Sequence, residues 1–243
     1  MSAEHEAHQF EMLLPWQLRN AVAKRAVVYI PLGTYEWHGE HLPVGLDSLT
    51  SHGICLRAAA IDGGVVLPPH YYSVGGGHGD YPWTIIKSEP DEIEAQLNFT
   101  LQRLAKFGVK LAVIFSGHFP DAQLDMIDRL ASQWNKNNSP LNVSSTAVNR
   151  IEGLKFAPDH AGIFETTLLA ALRPDLVQLD RLKSLAEAPL AKDDEIFGAA
   201  RHDPAHPIYG VFGPDPRHFR QEDAQALLDA CVNGLVREVR AQL

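Results

Sequence analysis

The chain has 243 residues, 45% hydrophobic and 21% charged, a composition ordinary for a folded globular protein with one large core. Lys and Arg number 21 against 30 Asp and Glu, a formal charge of −9 with no basic cluster, which argues against nucleic acid as a partner. Cys55 and Cys231 lie far apart in helix-like segments, so neither a disulfide framework nor a zinc-finger spacing is present, and a reduced cytoplasmic setting is the expectation.

The start, MSAEHEAHQFEMLL, is acidic and polar before its first apolar residues, the opposite of a signal peptide. No apolar run approaches the roughly 18–20 residues that span a bilayer, so no membrane association is expected. Residues 12–25 carry Leu13, Trp16, Leu18, Ala21 and Val22 at helical spacing, with Pro15 suited to a first turn. AVVYIPL (26–32) is a short β-branched run and reads as a buried strand. A loop rich in Gly, Pro, His and acids follows, then Asp47-Ser48 as the polar cap of a helix that ends at Gly63-Gly64.

VVLPPHYYSV (65–74) reads as a second strand, and GGGHGDYPWT (75–84) is too glycine-rich for regular structure. SEPDE (88–92) combines a cap, a proline and first-turn acids, predicting a helix to about Phe107 with a stop at Gly108. VKLAVIFSG (109–117) is the clearest buried strand, followed by a helix over about Asp121–Asn135. LNVSSTAV (141–148) is a more polar strand, expected nearer an edge. A helix from Ile163 stops at Arg173-Pro174, and residues 177–189 read as a further amphipathic helix. The stretch 191–220, rich in Pro, Gly, His and charge, is either a lid-like loop or a subunit contact, and a last helix runs from near Gln221 almost to Leu243. Alternating strands and helices, with no linker-like composition shift, predict one α/β domain over 1–243: a mostly parallel sheet with helices on both faces.

In such sheets sites gather outside the carboxyl ends of the strands. Glu36 and His38 follow the first strand and point to one side of an extended chain; His78 follows the second and His118 the third. Carboxylates and imidazoles together suit a divalent metal. Each residue also has a plain reading. Asp47 and Asp159 could simply cap helices, His118 could be a hydrogen-bonded core residue, and His78 could be packed in its glycine loop. His41 is placed for a supporting role. Glu165, one helical turn from His160, is flanked by Ile163, Phe164, Leu168 and Leu169, and a buried carboxylate needs a partner.

EWHGEHLPVGLD (36–47) resembles the E-x-H-G-x-H-L-P-x-x-x-D signature of the creatininase (creatinine amidohydrolase) family. Gly117-His118, DHAGIFETT (159–167) and GVFGPDPRHFRQEDAQALLDA (210–230) are similar to later segments of that family, in the same order. The resemblance implies a three-layer αβα sandwich, a homohexamer and a binuclear metal centre. Carried over by motif, Glu36, Asp47 and His118 would hold one ion, and His38 with the bridging Asp47 the other. Creatininase itself also uses a glutamate two positions after the strand-end histidine; that position here is Pro120, which cannot ligate, and by the resemblance Glu165 would take the role instead.

Two divalent ions (Zn, Mn or Fe) would then share a water as hydroxide and polarise a carbonyl, for hydrolysis of a C–N amide bond, other than a peptide bond, in a small molecule. His160 would be the proton shuttle, Asp159 its orienting partner, and His78 a contact for substrate or a neighbouring subunit. Creatinine is disfavoured as substrate, because the ligand at Pro120 and the family's tryptophan near 150–158 are missing. Two alternatives remain: cleavage of a C–C bond in a cyclic diketone by the same chemistry, and a non-catalytic, metal-stabilised oligomeric binding protein.

Overall fold

The computed structural model describes residues 7–87, 89–137 and 139–243. Four parallel strands form the sheet: β1 (Val27–Leu32), β2 (Val65–Val66), β3 (Leu111–Ser116) and β4 (Asn142–Ala147), in spatial order β2-β1-β3-β4. β1 and β3 pair along their whole length, from Val27 opposite Leu111 to Leu32 opposite Ser116. β4 continues in register with β3 and is an edge strand, as its polar pattern predicts.

The helices are α1 (Pro15–Lys24), α2 (Leu46–Asp62), α3 (Asp91–Lys106), α4 (Asp121–Asn135), α5 (Ile163–Leu172) and α6 (Ala224–Ala241). Period-two alternation sends Val27, Tyr29, Leu111, Val113 and Phe115 to one face of the sheet, where α2, α5 and α6 cover them. Val28, Ile30, Leu32, Ala112 and Ile114 face the other way, against α3 and α4 with α1 alongside. Both faces of β1 and β3 are therefore buried, which is why the two strands read as unbroken apolar runs. Each fully buried Val, Leu, Ile or Phe contributes about 1.5–3 kcal/mol of hydrophobic stabilisation before entropy is counted. The architecture is the αβα sandwich.

Three expected elements differ. The second strand shrinks to Val65–Val66, because Pro68 and Pro69 have no amide to give a ladder; beyond them only single bridges, Leu32 with His70 and Val74 with Lys87, continue the pairing. Residues 177–189 are not a helix but a short 3-10 turn at Leu179–Arg181 followed by bends. Their apolar members Val177, Leu179 and Leu182 pack into a third small core with Leu42, Leu46 and Ile208, and the Gln178 amide donates to the His41 carbonyl instead of to its own chain. The cap of α2 is Gly45, not Asp47, which sits inside the first turn. Ser88, the expected cap of α3, lies outside the described residues.

Candidate metal centre

Asp47 reaches the sheet because nothing separates α2 from the ends of β1 and β3. A Cβ on Gly33 would lie 2.2 Å from the Ser48 nitrogen, and one on Gly117 would lie 2.1 Å from the Asp47 carbonyl oxygen. Two side-chain-free positions at adjacent strand ends thus let the first turn of α2 sit directly on the rim. The Asp47 carboxylate, freed from capping, turns to the histidines. Its Oδ2 lies 3.1 Å from His118 Nδ1, and its Oδ1 3.2 Å from His38 Nε2.

Around Asp47 are two groups of candidate ligands. Glu36, Asp47 and His118 form one; His38, Asp47 and Glu165 form the other, and Asp47 gives one carboxylate oxygen to each. Glu36 Oε2 is 3.1 Å from His118 Nδ1, and Glu165 Oε2 is 3.5 Å from His38 Nε2. Donors bound to one tetrahedral ion at about 2.0–2.2 Å would stand roughly 3.3–3.6 Å apart, and the four contacts, 3.1–3.5 Å, lie at or just inside that spacing. All five side chains are buried.

The tautomers make the fit sharper. A carbonyl only accepts, so the ring nitrogen facing one carries the proton. His38 Nδ1 donates to the Glu36 carbonyl at 2.9 Å and His118 Nε2 to the Gly75 carbonyl at 3.1 Å. The opposite nitrogens then present lone pairs to carboxylates, acceptor against acceptor, and His38 Nε2 is buried with no hydrogen-bond partner. Only a proton or a cation relieves that arrangement. Burial alone would lower the His38 pKa, yet Asp47 and Glu165 outweigh it and push it up to about 10; Glu36 and Asp47 do the same for His118. The negative potential that would hold a proton there is the potential that binds a divalent ion.

The supporting groups are equally defined. His78 Nδ1 donates to Glu36 Oε1 at 2.6 Å, leaving Oε2 for the His118 side. Glu165 Oε2 accepts from the Ala161 amide at 2.6 Å, and Ala161 adopts φ +57°, a left-handed turn that costs an alanine roughly 1–2 kcal/mol. Burial raises the Glu165 carboxyl well above the ordinary range. His41 is buried and kept neutral, its pKa lowered to about 3 chiefly by burial, with Nε2 3.3 Å from the Thr166 hydroxyl.

His160 is the partly open member of the group. Its ring stacks on His78 at 4.0 Å and tilts against His38 at 4.5 Å. Nε2 donates to the Trp37 carbonyl at 2.8 Å, which leaves Nδ1 to take up a proton. Burial holds the imidazole well below its usual pKa, so it is neutral. The expected orienting role of Asp159 does not match the geometry. Its carboxylate accepts from the amides of Gly162, Phe164 and Glu165, capping α5 and fixing the turn that carries Glu165.

These groups open into a cavity of about 450 Å³. Its outer wall comes from the stretch 191–220, through Phe197, His202 and Phe212, of which only Phe212 lay in a motif segment singled out in the sequence. The 191–220 stretch thus covers the rim of this chain's own site. The His78–Glu36 pair was also missed; a histidine inside GGGHG was the available signal, but its partner lies 42 residues away.

A family model described as creatinine amidohydrolase (creatininase) matches residues 13–239. The creatinine amidohydrolase of Pseudomonas putida is 25% identical over 267 residues, covering 94% of this chain and 95% of that protein. The mycofactocin precursor peptide peptidase of Mycolicibacterium smegmatis is 26% identical, over 88% of this chain and 84% of that one. A solved Mn form of creatininase superposes with a TM-score of 0.74 at 23% identity, covering 97% of this chain and 98% of the other. A match from residue 13 to residue 239 takes in every element around the centre: the chain belongs to the creatininase family.

Proposed function

We propose that the protein is a metal-dependent amidohydrolase that cleaves a non-peptide C–N bond in a small, uncharged amide. The observation that carries this is the pair of ligand groups sharing Asp47, set beside a neutral histidine at the floor of a cavity. Glu36, Asp47 and His118 would hold one divalent ion, and His38, Asp47 and Glu165 the other, with Zn, Mn or Fe compatible with such donors. When bound, the ions supply a Lewis acid for the scissile carbonyl and acidify a water toward neutral pH. The side chains do the rest. His160 accepts a proton at Nδ1 and returns it to the departing nitrogen, while the Trp37 carbonyl holds its ring through Nε2. His78 Nδ1 donates to Glu36 Oε1 and aims that carboxylate.

Size and charge set the substrate class. Among the described residues no Lys or Arg lines the cavity, so nothing there receives a phosphate or carboxylate remote from the reacting bond. Phe119, Phe197 and Phe212 offer apolar walls, and Phe197 and Phe212 lie nearly parallel, 8° apart, suited to a flat group. A homo-oligomer, hexameric by family likeness, in a cytoplasmic setting belongs to the same reading.

The test is metal analysis together with an amide panel scored for release of ammonia or amine. Two ions per chain should fall to one in Glu165→Gln, and turnover by metal-loaded protein should drop about 10²–10⁴-fold in His160→Asn at unchanged metal content. An unmetallated wild type after growth with abundant Zn, Mn and Fe, inactive with each, would sink the proposal.

A further inference from the structure

Arg201 is an almost fully buried cation well outside the ligand groups, and burying a guanidinium is costly unless its donors are met. They are met with unusual completeness. Nε and Nη2 both donate to Asp194 Oδ2, at 3.1 and 2.6 Å, and His206 Nε2 holds the other oxygen of Asp194 at 3.0 Å. Nη1 reaches away from this pair to two main-chain carbonyls, Val211 at 2.9 Å and Gly213 at 2.6 Å.

Those carbonyls flank Phe212, whose amide and carbonyl are both spoken for. The Phe212 amide donates to the His160 carbonyl at 2.8 Å and the His160 amide donates to the Phe212 carbonyl at 3.1 Å, an isolated antiparallel bridge. One residue pair thus ties the histidine's backbone to the 191–220 stretch. The same short run reaches the histidine by a second route: the Tyr209 carbonyl accepts from the Trp37 indole at 3.2 Å, and the Trp37 carbonyl accepts from His160 Nε2. Residues 209–213 are therefore a template that sets both the backbone and the ring of His160. Local main-chain bonds hold the start of the run, the Gly210 amide to the Arg201 carbonyl at 2.8 Å and the Val211 amide to the Ile208 carbonyl at 3.1 Å, while the arginine fork holds its 211–213 end against the His160 bridge.

We propose that Arg201 is a positioning residue for His160, acting through the main chain of 211–213; this rests on the reading of His160 as the proton carrier. A lysine has the charge but not the planar fork that reaches a carboxylate on one side and two carbonyls on the other. Asp194 is the anchor that keeps the fork turned.

The experiment uses the full-length, metal-loaded protein with Arg201→Met, Arg201→Lys and, should Met prevent folding, Asp194→Asn. Hydrogen exchange should accelerate about tenfold or more in peptides covering His160 and 209–213 in Arg201→Met, with β3 and α6 unchanged. Metal content should stay at the wild-type value. On the best amide of the panel kcat should fall about 100-fold with KM unchanged, and Lys should restore only part of it. Unchanged exchange in those peptides, faster exchange spreading to β3, or faster exchange in those peptides without loss of kcat would each overturn the proposal. A wild type that turns over no amide defeats the amidohydrolase reading instead, and the exchange data still decide whether Arg201 holds the His160 backbone.

Discussion

Each carboxylate oxygen of Asp47 faces a different histidine, so Asp47→Asn removes an anionic donor from both ligand groups at once. The variant is expected to lose both ions, where His118→Asn loses one; metal per chain by elemental analysis separates them. A second residue tests burial rather than ligation. His52, on α2, has Nε2 buried with no hydrogen-bond partner, and burial lowers its pKa from 6.5 to about 4. Because the folded-state value is depressed, the folded chain binds fewer protons than the unfolded one between those two values. Stability from this residue is present above about pH 6.5 and is lost as the pH falls toward 4. His52→Leu should therefore flatten the acid limb of a Tm-against-pH curve in that window and leave the plateau near pH 8 little changed. An acid limb as steep as the wild type's would refute the assignment.

At the scale of elements, the centre depends on how closely α2 approaches β1 and β3. Gly117 shows it best: an added methyl would overlap the Asp47 main chain, backbone against backbone, with no flexible side chain to yield. Gly117→Ala should push the first turn of α2 off the rim, costing about 1–3 kcal/mol or more and lowering the metal content. Thermal unfolding and metal analysis on one sample read both effects; a variant that keeps its Tm and both ions would show the contact to be slack. β1 and β3 were legible as unbroken apolar runs because both of their faces are buried, and α3 and α4 because each turns one apolar stripe to the sheet, so local period and burial agree. Glu36, His38 and Asp47 were legible because twelve positions of chain hold them all. The 177–189 segment was not, since its leucines serve a third core reached only through the tertiary fold. Phe197 and His202 carry no motif, Phe212 lies in the 210–230 segment with nothing to mark it as a cavity wall, and the Arg201–Asp194 pair has no periodic signature. Asp159 carried both a chemical and a capping reading, and its bonds to three amides at the start of α5 match the second.

For the whole molecule, the proposed ions would act as cross-links. Their ligands come from the loop after β1, the first turn of α2, the end of β3 and the first turn of α5, so one centre spans both the sheet and two helices of one layer. The unfolded chain brings no such set together, and binding free energy becomes folding free energy. At a free metal concentration 100 times Kd the gain is about 2.7 kcal/mol per site. For a domain of this size 1 kcal/mol moves Tm by roughly 2–4 °C, so one site gives a shift of several degrees. Chelation should lower Tm by at least that amount, Zn or Mn should restore it, and Asp47→Asn should show no response to either. Glu165→Gln should keep about half of the shift, since it leaves Glu36, Asp47 and His118 intact. If instead the wild type melts at one temperature with and without chelator, the five buried ligand side chains must be satisfied by protons alone. His38 and His118 would then be imidazolium ions paired with Glu36 and Asp47, and the stability they contribute would fall as the pH rises from about 6.5 to about 10, where the paired histidines lose their protons. The two accounts thus differ in a measurement that needs no substrate.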